Sequence, residues 1–182
     1  MGLALSEGRP MPPSTEHSHQ VRRWLAIGGL GLCLAGSSAL AAWRDEHVLL
    51  INTTQSLPNW AFWVDRSRVP QRGDFVVFNP PRTPLIVAHF GKAPAPFAKR
   101  VLGMPGDFVT RDGSVVRIDG REVARLKAFS KRGEKLVPGP VGRIPEHCYY
   151  VGTAHADGFD SRYSDVGFVC RDRIVGTGDS VL

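Results

Sequence analysis

The chain has 182 residues, of which 42% are hydrophobic and 22% are charged. This balance excludes a disordered or fibrous protein, and the length allows one domain of normal size with an adequate core. Twenty glycines and fourteen prolines are many for a helix bundle and favour turn-rich β structure. The formal net charge of +6 raises the question of nucleic-acid binding.

The first part of the chain predicts a membrane segment. Residues 1–20 are rich in Pro, Ser, Gly and His and predict a short disordered tail. Residues 24–43 carry no charge and would form a helix about 30 Å long, the thickness of a bilayer's hydrocarbon core. Trp24 and Trp43 at its ends suit the membrane interface. We therefore expect residues 1–23 to be a cytoplasmic tail and residues 24–43 a single transmembrane anchor.

The charges on either side of this segment predict its orientation. Arg22 and Arg23 precede it, whereas only Arg44 follows closely, so the positive-inside rule places residues 44–182 outside the cytoplasm. A cleavable signal peptide is an alternative, because Ala39-Leu40-Ala41 has the small-x-small form of a cleavage site. A buried core helix is disfavoured, because such a helix normally has a polar face.

The exported part predicts one mainly β domain. Short β-type runs follow one another, and Gly, Pro or Asn separates nearly all of them. The runs are 47–52, 60–64, 75–78, 85–90, 98–102, 107–110, 114–118, 148–152, 168–171 and 173–175. Asp119 and Gly120 suit a two-residue type I′ hairpin turn, which requires positive φ. No apolar helical pattern persists for three turns in this part.

Two longer segments, 79–97 and 126–146, predict loops. The second contains five basic residues: Lys127, Lys131, Lys135, Arg132 and Arg143. No aromatic residues alternate with this charge as they do in single-strand nucleic-acid sites. A solvated loop facing anionic lipid headgroups is therefore favoured over a nucleic-acid site, and we expect no nucleic-acid partner.

The cysteines predict a disulfide and no metal site. Cys33 lies in the apolar segment, whereas Cys148 and Cys170 lie in exported, strand-like segments, where disulfides persist. Cys148 and Cys170 are therefore disulfide candidates. No cysteine or histidine spacing matches a metal-binding pattern, so we expect no metal and no cofactor.

Three segments of the exported part carry residues suited to catalysis, although each also has a structural interpretation. Ser56 lies two residues before Pro58, in a turn that could fix the direction of its hydroxyl or that the hydroxyl could simply cap. Lys99 begins an apolar strand, where burial would favour the neutral amine, or from which it could extend to solvent. A buried lysine can act as general base for a serine hydroxyl. Asp160 and Arg162 could form a structural ion pair.

The order of these segments resembles the bacterial signal peptidase I clan. The sequence reads T-x-S-x-P, then G-D-F-V-V-F, then K-R-V-x-G-x-P-G-D, then D-S-R-Y, all after one apolar segment and over most of residues 50–176. Within the clan, N-T-T-Q-S-L-P-N is similar to the conjugative transfer signal peptidases of the TraF type. General leader peptidases tend to read S-G-S-M-x-P-T there. The compact spacing between the last two boxes also suits the TraF type.

The resemblance implies a membrane-anchored serine endopeptidase whose signal-peptidase-like β domain lies in the periplasm. Ser56 would be the nucleophile and Lys99 its general base, with an apparent pKa lowered to about 7–9. The Ser56 N–H and the Thr54 hydroxyl would form the oxyanion hole. Asp160 and Arg162 would support the site. The substrate would be an exported precursor at the inner membrane, with a conjugative pilin as the expected case.

The sequence departs from the clan's general pattern at two positions. Gly158 stands where general leader peptidases have a serine that orients the lysine, and Thr153 replaces the aspartate of their G-D-N segment. Either Asp160 or Asp157 could orient Lys99 instead. Two alternative functions fit the same chain: a housekeeping signal peptidase I, and a non-catalytic periplasmic β domain that binds secretion or pilus components.

Overall fold

The structure is a computed structural model that describes residues 15–51 and 61–181. It divides into two units, Met1–Asp45 and Glu46–Leu182. Each is described separately.

The described residues of the first unit belong to one long helix, α1 (Thr15–Glu46). Its segment Gln20–Glu46 is the one described helix that is long and apolar enough to cross a membrane, with a mean hydropathy of 1.8 in its most apolar window. Its large apolar side chains, such as Trp24 and Leu32, are exposed in the protein. A helix that is apolar all round requires an apolar environment.

Helix α1 begins earlier than the sequence predicts. Residues 15–20, expected as part of a disordered tail, are helical. Neither Gly nor Pro occurs between Thr15 and Ile27, so nothing interrupts helical hydrogen bonding once the apolar segment has nucleated it.

The second unit is built from antiparallel strands. In chain order the described elements are β1 (His47–Ile51), β2 (Ala61–Asp65), β3 (Phe75–Phe78), the helix α2 (Pro84–Phe90), β4 (Phe97–Gly103), β5 (Phe108–Asp112), β6 (Val115–Ile118), β7 (Arg121–Arg125), β8 (Gly142–Arg143), β9 (Cys148–Gly152), β10 (Val169–Cys170) and β11 (Ile174–Ser180). This architecture confirms the mainly β fold that the sequence predicts.

The strands form two sheets. Seven are arranged in the order β1-β2-β11-β3-β4-β9-β10, so that β11 lies between β2 and β3. The other four are arranged as β7-β6-β5-β8. Strands β6 and β7 are joined by the predicted two-residue turn, in which Asp119 and Gly120 have φ of +48° and +80°.

One face of the seven-stranded sheet forms a core of buried side chains. Strand β3 contributes Val76 and Phe78, β4 contributes Val101, and β9 contributes Tyr149 and Val151. These residues recur at every second position, as the pleat of a strand requires. A second core cluster fills the space around the four-stranded sheet and includes Val109, Ile118 and Ile144.

The prediction of a strand at residues 85–90 is wrong, because this segment belongs to the helix α2. Thr83 caps it by accepting a hydrogen bond at its side chain from the Ile86 N–H at 3.4 Å. Pro84 occupies the first turn, where its missing N–H costs nothing. Ile86 is fully buried. An apolar run containing Ile and Val suits a buried strand as well as a buried helix, and here the cap and the proline decide the outcome.

Strand β11 continues further than the run at 173–175 predicts. Arg171–Arg173 form a short 3-10 helix, and the strand then extends through Gly176, Thr177 and Gly178 to Ser180. The alternating glycines are typical of a turn in sequence. In the structure this segment is paired on both edges, with β2 and with β3.

The predicted basic loop at 126–146 is held by the D-S-R-Y segment. The Lys127 N–H donates to the Tyr163 hydroxyl at 3.1 Å, and the Gly139 N–H donates to the Arg162 carbonyl at 2.7 Å. An ideal Cβ at Gly139 would lie only 2.2 Å from the Ser161 carbonyl oxygen. The absence of a side chain at this position therefore permits a close contact between the two segments.

Candidate active site

Lys99 lies in the middle of the seven-stranded sheet. It belongs to β4, in which Lys99 and Val101 are buried and Arg100, between them, is exposed. On one side it is paired with Val76 of β3. The alternation of the strand directs Lys99 to the same apolar face as Val101, and only 5% of the residue is exposed. Of the two interpretations of Lys99, burial or extension to solvent, the structure shows burial.

This environment makes the Lys99 amine easier to deprotonate. Burial lowers its pKa from 10.5 to about 8, while Asp160 raises it and Arg162 lowers it further. The Nζ atom also lies 5.8 Å from the centroid of the Phe97 ring. A lysine with a pKa near 8 is partly neutral at physiological pH and can accept a proton.

Asp160 and Arg162 form a buried ion pair next to Lys99. Their exposed fractions are 0% and 3%. The guanidinium binds the carboxylate through two bonds, Nε–Oδ1 at 2.8 Å and Nη2–Oδ2 at 3.0 Å. Burial raises the pKa of Asp160, and the charge and hydrogen bonds of Arg162 oppose that rise. Bidentate pairing of this kind is the geometry in which an arginine can offset the burial of a carboxylate.

The ion pair also fixes the chain that follows β9. The Thr153 N–H donates to Asp160 Oδ2 at 3.1 Å, and Arg162 Nη2 donates to the Thr153 carbonyl at 2.8 Å. Ser161, between the two charged residues, accepts a hydrogen bond at its hydroxyl from the Val151 N–H at 2.9 Å. The D-S-R-Y segment is thereby attached to the strand that neighbours Lys99.

Gly158 lies against this ion pair. An ideal Cβ there would lie 3.0 Å from Asp160 Oδ2, 3.0 Å from Thr153 Cγ2 and 3.1 Å from Arg162 Nη2. These distances are tighter than ordinary van der Waals contacts. A side chain at this position would therefore require its neighbours to shift.

Asp157, one of the two residues expected to orient Lys99, pairs with other lysines. Its carboxylate contacts Lys127 and Lys131 of the basic loop. Hydrogen bonds from these two side chains lower the pKa of Asp157 to about 2. Of these two carboxylates, Asp160 is the one that affects the pKa of Lys99.

The remaining predicted residues divide into two groups. Ser56 and Thr54 lie outside the described residues, between β1 and β2. Cys148 and Cys170 form a disulfide that joins β9 to β10. Within the described ranges, no group of three His, Cys, Asp or Glu side chains is placed to hold a metal ion.

A cleft of about 280 Å³ lies beside Gly158, which is one of its lining residues. It is lined by residues of α2, of the basic loop and of the segment that ends in D-S-R-Y, including Phe90, Phe129, Phe159 and Tyr163. Lys99 is not among its lining residues. The chemistry of the site, rather than this concavity, identifies the candidate catalytic centre.

Comparison with known proteins shows the family to which the chain belongs. The family described as "Signal peptidase, peptidase S26" matches residues 21–182. Signal peptidase I T of Bacillus subtilis (strain 168) is 30% identical over 156 residues, which cover 81% of this chain and 70% of that protein. Probable signal peptidase I-2 of Synechocystis sp. is 34% identical over 61% of this chain, and signal peptidase I of Bacillus amyloliquefaciens is 30% identical over 62%.

The matched regions span 47% and 56% of the last two relatives' own lengths. A crystal structure of a signal peptidase I from Enterococcus faecalis V583 is 24% identical and covers 60% of this chain and 96% of its own, with a TM-score of 0.36. The family match defines the class as that of serine endopeptidases that cleave signal peptides. The chain belongs to the peptidase S26 family of signal peptidases.

Proposed function

We propose that this chain is a membrane-anchored serine endopeptidase that uses a Ser56–Lys99 dyad to cleave exported precursors. Helix α1 anchors it in the inner membrane with the N-terminus in the cytoplasm. The β domain acts in the periplasm. Two features support this arrangement: the apolar length of α1 and the positions of Arg22 and Arg23 before the apolar segment.

The proposed reaction proceeds through an acyl-enzyme. Ser56 Oγ attacks the carbonyl carbon of the scissile peptide bond while its proton passes to the neutral Nζ of Lys99. The Ser56 N–H and the Thr54 hydroxyl stabilise the negative charge on the carbonyl oxygen. Lys99 then gives its proton to the departing amine as the C–N bond breaks. A water molecule, deprotonated by Lys99, hydrolyses the ester and releases Ser56.

The observation that carries this proposal is the burial of Lys99. An apolar strand environment normally selects against an ammonium group, because transfer of the charge out of water costs several kcal/mol. Lys99 is nevertheless buried in β4, and its pKa falls to about 8. In a signal peptidase family chain, a lysine that is partly unprotonated at neutral pH, and so able to accept a proton, fits the role of general base.

The test is precursor cleavage by the full-length protein in detergent, with the products read by mass spectrometry. Ser56→Ala and Lys99→Ala should each lower the cleavage rate by at least about 10²-fold, since each removes a participant in the chemical step. Lys92→Ala, at an exposed lysine, is the matched control and should cleave as the parent does. If both dyad variants cleave at the parent's rate, the alternative of a non-catalytic binding domain is supported instead.

The substrate class we propose is a conjugative pilin precursor. Its support is the N-T-T-Q-S-L-P-N segment and the short spacing from Lys99 to Asp160, both similar to the TraF type. Mass spectrometry of pilin precursors incubated with the parent and with Ser56→Ala should show a new pilin terminus for the parent alone.

A housekeeping signal peptidase is the second candidate, favoured by one observation. The curated relatives are named as signal peptidase I enzymes. A substrate panel separates the two candidates, because a housekeeping enzyme cleaves unrelated secretory precursors with comparable efficiency. Cleavage of the pilin precursor alone would support the conjugative assignment.

A further inference from the structure

The strand register places Thr153, a departure from the family pattern, opposite Lys99. Strands β4 and β9 are antiparallel, and Val101 is paired with Val151 and Arg100 with Gly152. Continued one residue past the end of β9, the same register brings Lys99 opposite Thr153. Residues opposite each other in an antiparallel pair direct their side chains to the same face, with Cβ atoms about 4.5–5.5 Å apart.

Burial agrees with this register. Val101 and Val151 are both fully buried in one core cluster. Lys99 and Thr153, each two residues from one member of that pair, are also buried, at 5% and 4% exposed. A threonine hydroxyl in such a place is expected to form hydrogen bonds, because a buried polar group without them is costly.

Three hydrogen bonds hold Thr153 in a defined orientation. Its N–H and carbonyl are bound by Asp160 and Arg162. Its Oγ1 accepts a hydrogen bond from the His155 N–H at 2.8 Å. A hydroxyl oxygen can accept two hydrogen bonds, so Oγ1 has the capacity to accept another from a neighbouring amine.

The contacts of Gly158 explain why Thr153 can take this position. The Thr153 methyl Cγ2 lies 3.0 Å from the site of a Cβ at position 158. A serine at position 158 and the present conformation of Thr153 would therefore compete for the same space. The family's lysine-orienting serine is absent here, and the side chain of Thr153 fills the space beside it.

We propose that Thr153 is the positioning residue for Lys99, its Oγ1 accepting a hydrogen bond from the Lys99 amine and thereby fixing where Nζ lies. This inference rests on the proposed function, in which Lys99 is the general base. The charged groups that act on Lys99 are Asp160 and Arg162, both on the segment after β9. Its neighbour on the other side, Val76 of β3, is apolar.

The test compares Thr153→Val, which keeps the shape and removes the hydroxyl, with Thr153→Ser, which keeps the hydroxyl. Full-length variants are assayed for kcat, KM and the pH dependence of kcat/KM on one cleavable precursor. Thr153→Val should lower kcat by about 10- to 100-fold with little change in KM, because a misplaced base loses orientation rather than substrate binding. Thr153→Ser should restore most of kcat.

The pH profile provides a readout that a merely structural residue would not change. A hydrogen bond from the ammonium form to Oγ1 is charge-assisted and stabilises the protonated lysine. Its loss in Thr153→Val should therefore move the rising limb to lower pH, and Thr153→Ser should return it. A limb that stays in place or moves to higher pH would overturn the inference, as would an unchanged kcat.

Thr177→Val is the matched control. Thr177 is a fully buried threonine whose hydroxyl donates to the Arg68 carbonyl at 3.0 Å. It is paired with Val76 and so lies on the same sheet as Lys99 without adjoining it. This variant should keep the parent's kcat and pH profile. If Thr153→Val lowers the melting temperature, comparing Thr153→Ala with Thr153→Ser isolates the hydroxyl, because neither variant has the methyl group.

Lys99→Ala in the same assay separates the two levels of the proposal. If Lys99→Ala cleaves at the parent's rate, the proposed dyad fails, and this inference fails with it. If Lys99→Ala is inactive while Thr153→Val is unchanged in kcat and pH profile, the dyad stands and only the role of Thr153 is overturned.

Discussion

Lys99 is subject to two opposing consequences of burial. The apolar face of β4 lowers the pKa of Lys99 to about 8. In the unfolded chain the same amine stays charged up to about pH 10, so folding buries a group that water would keep charged. The same desolvation therefore increases the fraction of neutral Lys99 amine available at neutral pH and reduces the stability of the fold. Both effects are measurable, and they differ in their dependence on pH.

The first prediction concerns activity. In the proposed mechanism only neutral Lys99 accepts the Ser56 proton, and its pKa lies near 8. We expect kcat/KM to rise from pH 6 to pH 9 with a midpoint near 8, measured as initial rates of precursor cleavage. A profile that is flat from pH 6 to pH 10 would contradict the assignment of Lys99 as base.

The second prediction concerns stability. The folded state loses the Lys99 proton near pH 8 and the unfolded state near 10.5. Between these values the unfolded state binds more protons, so stability rises with pH, and below pH 8 the full penalty remains. Lys99→Met should therefore raise the free energy of unfolding at pH 7 by up to about 3 kcal/mol, with the gain shrinking towards pH 10.

Urea unfolding of the full-length protein at pH 7 and pH 10 measures this difference. The control is Lys92→Met at an exposed lysine, which should change stability little at either pH. Equal stability of Lys99→Met and the parent at pH 7 would show that the protein does not carry the predicted cost of the buried ammonium.

At the scale of elements, the D-S-R-Y segment connects parts of the domain that are far apart in sequence. It joins β9 through Ser161 and Thr153, and it joins the basic loop through Tyr163 and Gly139. The segment therefore determines the position of the Asp160–Arg162 pair from two sides. A substitution in the basic loop should therefore alter the position of the Asp160–Arg162 pair.

The third prediction tests this connection through Gly139→Ala. The added methyl would lie 2.2 Å from the Ser161 carbonyl oxygen, a backbone atom that cannot rotate away. We expect a loss of about 1–3 kcal/mol in the free energy of unfolding, from urea titration. Gly178→Ala, whose nearest neighbour would be 3.4 Å away, is the control. Equal unfolding midpoints for parent and Gly139→Ala would contradict the close contact.

The sequence predicts the elements that depend on neighbouring residues alone, such as a tight turn or a short apolar strand. The β6–β7 hairpin follows from Asp119 and Gly120, because positive φ is a property of those residue types. The runs at 75–78 and 148–152 coincide with β3 and β9. Helix α2 does not follow from the sequence pattern, because the apolar run at 85–90 suits either structure and the cap at Thr83 becomes evident only in the structure.

The site was predictable only in part for a similar reason. The strand pattern around Lys99 indicates which face it occupies, and the family boxes indicate Asp160 and Arg162. Thr153 gives no such signal, because its relation to Lys99 depends on the pairing of β4 with β9, which are separated by more than forty residues. A register between distant strands is not encoded in either strand alone.

At the scale of the whole chain, the fate of helix α1 distinguishes an anchored enzyme from a released one. The fourth prediction is that the mature protein keeps residues 24–43 and stays in the membrane fraction after alkaline carbonate extraction. The apolar, uncharged segment is long enough to span the bilayer. Intact-mass measurement should give the full chain, whereas an N-terminus at Ala42 would show cleavage after Ala41.

A fusion of residues 44–182 to a cleavable secretory signal is the control for this experiment. It should appear in the soluble periplasmic fraction, because it lacks the apolar segment. Alkaline phosphatase fused after residue 182 of the full chain should be active, because this reporter enzyme requires the oxidising periplasm. An inactive fusion would contradict the proposed orientation and place the β domain in the cytoplasm.

The position of β11 determines when this domain can become functional. Strand β11 runs from Ile174 to Ser180 yet lies between β2 and β3. The ribosome synthesises the chain from its N-terminus. Strands β2 and β3 therefore lack β11, the strand that lies between them, until residues near 180 are available. In the proposed topology, the sheet that holds Lys99 therefore closes only after residues 44 to about 180 have crossed the membrane. We expect the domain to be incomplete throughout that translocation, on the same route as the precursors on which we propose it acts.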